Sequence, residues 1–116
     1  MKLYSYSKCG TCRKAKKFLD EHNIAYEEFD ITETPPPLAV LKRALAAKGL
    51  KKLFNTSGVQ YKELKIKDKL PGMSEGDALA LLASNGRLVK RPVAVGKDAV
   101  TVGFDPEEYQ AVWGGR

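Results

Sequence analysis

The chain switches between two hydrophobic spacings. Apolar positions cluster over Lys2-Leu3-Tyr4-Ser5-Tyr6, recur every three to four residues through Cys12, Ala15, Phe18 and Leu19, and return in a short run at Ala25-Tyr26-Glu27-Glu28-Phe29-Asp30. A period near two marks a strand, and a period near 3.6 marks a helix with an apolar stripe toward a core. Residues 2–6 thus predict a buried strand and residues 25–30 a second one. Between them, Arg13 to His22 predicts a basic amphipathic helix with Arg13, Lys14, Lys16 and Lys17 on its wet side. Strand, helix and strand within about thirty residues form a βαβ unit, with parallel strands and a right-handed crossover.

Pro35-Pro36-Pro37 interrupts this pattern and suits the start of a helix. Helical spacing then runs from Leu38 to Ala47, with Leu38, Leu41 and Leu45 as the apolar stripe and Gly49 as the stop. Asn55-Thr56-Ser57-Gly58 is a turn-rich loop whose side chains can bond nearby backbone groups. Residues 59–70 are lysine-rich around Tyr61, Leu64 and Ile66 and read as a short helix followed by loop. Pro71-Gly72 turns the chain, Ser74 caps, and residues 77–83 form a further helix closed by Asn85-Gly86. Two β-branched runs, 88–95 and 99–102, flank a turn at Gly96-Lys97-Asp98 and predict an antiparallel hairpin. Asp105-Pro106-Glu107-Glu108 supplies a cap, a proline at the first helical position and acid in the first turn, so a last helix carries Tyr109, Val112 and Trp113 at the core edge. The result is one α/β domain over residues 1–116: a mixed four-stranded sheet with a helical insertion at about residues 33–87.

With 116 residues, 43% of them hydrophobic, there is room for one modest core. No apolar stretch is long enough to span a bilayer, and residues 1–8 lack the apolar segment of a secretory signal, which points to a cytoplasmic location. A formal net charge of +6 suits an acidic surface or an oxyanion, although lysines on solvated helix faces account for it. Few aromatics accompany the basic runs, which argues against nucleic acid as a direct ligand. A monomer is the expected state.

The chemistry concentrates in Cys9-Gly10-Thr11-Cys12, which holds both cysteines of the chain and lies between the first strand and the first helix. A sulfur at a helix amino end meets unpaired N–H groups and the positive end of the helix dipole, which favour thiolate over thiol. Cys9 is therefore the candidate nucleophile. Cys12, about one turn further, can attack a mixed disulfide on Cys9 and release its partner, which makes it the candidate resolving thiol. A zinc site needs about four ligands, and two cysteines with His22 and no carboxylates at metal spacing do not supply them, so no metal is expected. In a reducing compartment, closely spaced thiols serve catalysis or sensing rather than stapling. Arg13 could hold an anion near Cys9, whereas His22 favours the dipole at the helix end.

With Cys9-Gly-Thr-Cys-Arg13 after the first strand, Lys90-Arg91-Pro92-Val93 opening the hairpin and Gly103 before the last helix, the chain resembles the ArsC/Spx-type family. That thioredoxin-like, or glutaredoxin-like, family holds glutaredoxin-dependent arsenate reductases and the Spx-type regulators. The resemblance implies that Cys9 attacks an oxyanion, that Arg13 and Arg91 bind it, and that Pro92 is a cis-proline facing the active-site cysteine. It also implies arginines in the loop and before the last helix, where this chain reads Asn55-Thr56-Ser57-Gly58 and Phe104-Asp105, and a serine where it has Cys12. The two cysteines and the Val102-Gly103-Phe104 stretch look more like the Spx/YffB-like branch. The expectation taken first is a thiol–disulfide reductase with arsenate as substrate, glutathione or glutaredoxin as reductant and no bound cofactor. The alternatives are a redox-sensing regulator that binds the RNA polymerase α subunit, and an interaction module whose cysteines are incidental.

Overall fold

The computed structural model describes residues 1–114. Strand β1 (Lys2–Ser5) pairs in parallel with β2 (Glu27–Asp30) and antiparallel with β3 (Val93–Val95), which pairs antiparallel with β4 (Val100–Val102). The sheet order is β2-β1-β3-β4, a thioredoxin-like arrangement. Between β1 and β2 lies helix α1 (Gly10–Glu21). The insertion contributes α2 (Leu38–Lys48), α3 (Val59–Glu63), α4 (Ile66–Lys69) and α5 (Glu75–Ser84), and α6 (Pro106–Tyr109) runs on into a wider π turn at Gln110–Gly114.

Strand alternation assigns the two layers. Leu3 and its cross-strand neighbour Ala94 share one face, covered by Ala15 and Leu19 of α1 and by Tyr109 and Trp113. Tyr4 and its partner Val93 belong to the other, packed with Leu41, Ala44, Phe54, Leu82 and Leu88 of the insertion. The insertion is therefore the second core layer. Two caps form as expected: Ser74 Oγ accepts from Asp77 N, and Asp105 Oδ1 accepts from Glu107 N. Trp113 is buried rather than at an edge, and its ring lies against Gly96, where a Cβ would come within 2.7 Å of it.

Other boundaries move. Residues 88–95 do not form one strand: Gly86–Leu88 makes a 3₁₀ turn, Val89 bridges singly to Phe54, and the sheet begins at Val93. Pro92 has no N–H for the ladder, and the preceding backbone pairs with the insertion instead, through Asn55 N to Leu88 O and Lys90 N to Leu53 O, both 2.8 Å. Helix α1 starts at Gly10, before the expected Arg13, because Cys9 caps it. Strand β1 stops at Ser5, so Tyr6 lies beyond it. Leu38 and Leu64, expected to anchor the core, are 42% and 39% exposed. Ala44 takes the inner place beside Leu41 on α2, and Ile66 is buried after Lys65, whose φ of 54° separates α3 from α4. Among the described residues no helix is long and apolar enough to cross a membrane.

Candidate dithiol site

Three elements meet at the motif: the end of β1, the amino end of α1, and the Lys90–Pro92 segment that leads into β3. Cys9 is the N-cap of α1, with extended backbone (φ −99°, ψ 115°), and its Sγ accepts a hydrogen bond from Cys12 N at 3.2 Å. An acceptor at this position satisfies one of the helix's orphan donors, and sulfur does so best as an anion. Cys9 N donates to Tyr6 O at 3.1 Å, which fixes the turn between strand and helix.

The two sulfurs differ in surroundings. Cys9 is half-buried, whereas Cys12 is fully buried and heads the stripe that continues through Ala15 and Leu19. Burial, reinforced by the hydrogen bond to Cys9, pushes the Cys12 thiol up to about 12, against the opposing pull of the Tyr6 backbone and, last, of the Arg91 cation. Cys12 thus holds its proton while Cys9 meets solvent. Both are free thiols here.

Arg91 is brought to Tyr6, beside the motif, by the segment before β3. Its guanidinium stands 4.7 Å over the Tyr6 ring, close enough to act on Cys12, and the Arg91–Pro92 peptide is cis, with Pro92 buried. A hollow of about 130 Å³ opens there, lined by Tyr6, Thr32, Asn55, Gln60, Arg87 and Arg91, among others. Arg13 is not part of that lining. It is exposed, and a Cβ at Gly10 would lie 3.9 Å from its guanidinium, which places it over the start of α1 on the motif side. The two predicted anion ligands therefore flank the motif rather than converge in one hollow.

Arg87 and Gln60 escaped the sequence reading. Asn85 Nδ2 donates to Gln60 Oε1 at 2.7 Å, which leaves the Gln60 amide N–H groups for another acceptor. Arg87 helps hold the Asp30 carboxyl below its ordinary range, after the larger contributions of the Thr32 hydroxyl and backbone. The spacing of Arg87 and Arg91, four residues apart, is the one local signal that could have found it. The loop Asn55-Thr56-Ser57-Gly58, where the resemblance implies an arginine, holds none, and a Cβ at Gly58 would come within 2.6 Å of the Asn55 amide. His22 lies at the far end of α1, where its Nδ1 donates to Phe18 O at 2.9 Å and its ring stacks on Phe18. Among the described residues no three His, Cys, Asp or Glu side chains stand together as a metal site.

A half-buried capping thiol, a buried partner one turn on and a neighbouring arginine on a thioredoxin-like sheet define a dithiol protein of that fold. The sequence profile of the ArsC family matches residues 4–112, and the chain belongs to that family. It is 50% identical over 113 residues to the uncharacterized protein YusI of Bacillus subtilis, covering 96% of each chain. It is 31% identical to the global transcriptional regulator Spx of Enterococcus faecalis, over 93% of this chain and 82% of that one. The crystal structure of a protein described as a possible arsenate reductase from Streptococcus mutans superposes with a TM-score of 0.84 at 40% identity, covering 94% of this chain and 96% of the other.

Proposed function

We propose that this protein is a thiol–disulfide reductase in which Cys9 is the nucleophile and Cys12 the resolving thiol, with arsenate the first substrate to test and glutathione or glutaredoxin the reductant. The observation that carries this reading is the asymmetry of the two sulfurs: one caps the helix and is half-exposed, and the other is fully buried one turn further on. Cys9 attacks the oxidised substrate. Arg91, with Arg13 on the other flank, offsets the negative charge on the oxyanion. The second thiol, Cys12 or glutathione, then closes the disulfide. In balance, two thiols become one disulfide, giving up two electrons and two protons, while arsenate becomes arsenite and water. A further pair of thiols reduces the disulfide and restores the site.

Although the loop at Asn55 lacks the basic character of the Spx-type branch, the relation to a transcriptional regulator, together with Cys12 in the motif and the Val102-Gly103-Phe104 stretch, supports a second reading. In it the same dithiol reports oxidation and the chain binds the RNA polymerase α subunit. One experiment separates the two: arsenate-dependent NADPH consumption with glutathione, glutaredoxin and glutathione reductase, run beside a binding titration against the α subunit. Turnover that disappears in Cys9→Ser supports the reductase. Saturable binding that changes on oxidation, without turnover, supports the regulator.

A further inference from the structure

A hollow of about 630 Å³ opens at the end of the sheet remote from the dithiol. Lys2, which begins β1, has as cross-strand neighbours Glu27, which begins β2, and Val95, which ends β3, whereas Cys9 follows β1 at the other end. Alternation puts Lys2, Glu27 and Val95 on the same face as Tyr4, the face that packs on the insertion, and all four line the hollow. Opposite them, Pro37, Val40 and Arg43 follow one another at intervals of three along one side of α2, and the turn after β3 adds Lys97. Arg43 ties helix to turn: its Nη2 donates to Gly96 O at 3.0 Å and to Lys97 O at 3.3 Å. Both bonds use one nitrogen, so the Nη1 and Nε donors of the guanidinium are left without a hydrogen-bond partner among the described residues.

Tyr4 is 3% exposed and its ring stacks on Phe29, with centroids 5.2 Å apart, yet its hydroxyl has no hydrogen-bond partner among the described residues. The hydroxyl is not sealed away, and the hollow that Tyr4 lines is the space it can reach. Burial, and after it the Glu27 carboxylate, raise its ionisation above the ordinary value, so at neutral pH it keeps its proton and can donate. A hydroxyl held on a buried ring without a protein partner is set to bond something in the hollow. Three cations, Lys2, Arg43 and Lys97, stand there against one carboxylate, Glu27, and none of the four is in an ion pair among the described residues. That balance favours an anion. Pro37, Val40 and Val95 add apolar wall, and the volume falls within the roughly 300–1,000 Å³ of small-molecule sites. We propose that this hollow binds a small organic anion with an apolar body, its acidic group taken by Arg43, Lys97 and the Tyr4 hydroxyl. The site lies apart from the dithiol, and the inference stands whether or not the reductase reading does.

The test compares three compounds of one shape and different charge: cinnamate (anionic), cinnamyl alcohol (neutral) and cinnamylamine (cationic). Each is titrated into the isotope-labelled full-length protein, and affinity is read from backbone amide shifts in NMR spectra. Cinnamate should saturate, with its shifts centred on Lys2, Tyr4, Val40, Gly96 and Lys97, and should bind at least about tenfold more tightly than the alcohol, with the amine weakest. Tyr4→Phe keeps the ring on Phe29 and should weaken cinnamate by about tenfold, the worth of one hydrogen bond to a charged group. In Arg43→Gln/Lys97→Gln cinnamate should weaken by on the order of tenfold or more, while the alcohol binds as before. Lys14→Gln/Lys17→Gln removes the same charge from exposed positions on α1, outside the hollow, and should change neither affinity. Failure of cinnamate to saturate, shifts centred elsewhere, equal affinity for the alcohol, or undiminished cinnamate binding in Tyr4→Phe overturns the inference. So does a loss in the α1 control equal to that in Arg43→Gln/Lys97→Gln.

Discussion

Cys12 should be one of the slowest thiols a native protein can present, and the structure sets the size of the effect. Its thiol is moved from an ordinary 9.0 to about 12, chiefly by burial. At any pH below both values, a rise of that size leaves on the order of a thousandfold less thiolate, and thiolate is the species that alkylates. Full burial slows the reagent further, because iodoacetamide must wait for an opening of the fold. In Cys9→Ser the hydrogen bond and charge of Cys9 are altered but the larger cause, burial, remains. The expectation is then a labelling rate at pH 8 at least about a hundredfold below that of the same variant unfolded in urea. Cys9 in Cys12→Ser should label no more slowly than an unfolded thiol, because it is half-exposed and caps the helix. Stopped alkylation followed by intact mass, native and in urea, gives all four rates. Native Cys12 within tenfold of its unfolded rate, or faster than Cys9, would refute the assignment of roles.

Arg91→Ala should abolish protection of Cys9 by arsenate or sulfate against alkylation, and Arg91→Lys should restore it poorly, since an ammonium lacks the planar fork; loss of the stack on Tyr6 should cost only about 0.5–1 kcal/mol in a urea melt. Protection retained in the alanine variant would remove Arg91 from the site. Gly86→Ala should destabilise by about 3 kcal/mol, or roughly 10–20 °C in Tm, because its Cβ would fall 1.7 Å from Ile31 O and backbone must move; a Tm within about 2 °C of wild type would contradict that close approach. Tyr109→Phe should not lower Tm, because the buried Tyr109 hydroxyl makes no well-formed hydrogen bond among the described residues. A fall of several degrees would show that the hydroxyl has a partner.

Local signals made the site legible. A cap, a helical stripe and a strand each depend on a few adjacent residues, so β1, α1 and the Cys9–Cys12 pair could be read from spacing, as could the caps at Ser74 and Asp105. What the spacing missed depends on distant chain. Leu88 and Val89 look like strand, but their backbone is claimed by Phe54 and Asn55 of the insertion. Leu38 and Leu64 have apolar side chains and look like core anchors, yet both are left exposed. The hollow at the far end of the sheet is assembled from α2, the first residues of β1 and β2 and the turn after β3, and no motif announces it. Gln60 owes its orientation to Asn85, 25 residues away.

The central claim, that Cys9 and Cys12 work as nucleophile and resolving thiol, is tested most directly by intact mass after one equivalent of a small disulfide is added to the reduced protein. Wild type should lose two hydrogens and retain no adduct, and Cys12→Ser should stop at one mixed disulfide, mapped by peptide digestion to Cys9. A stable adduct on the wild type, or an adduct mapped to Cys12, would contradict it.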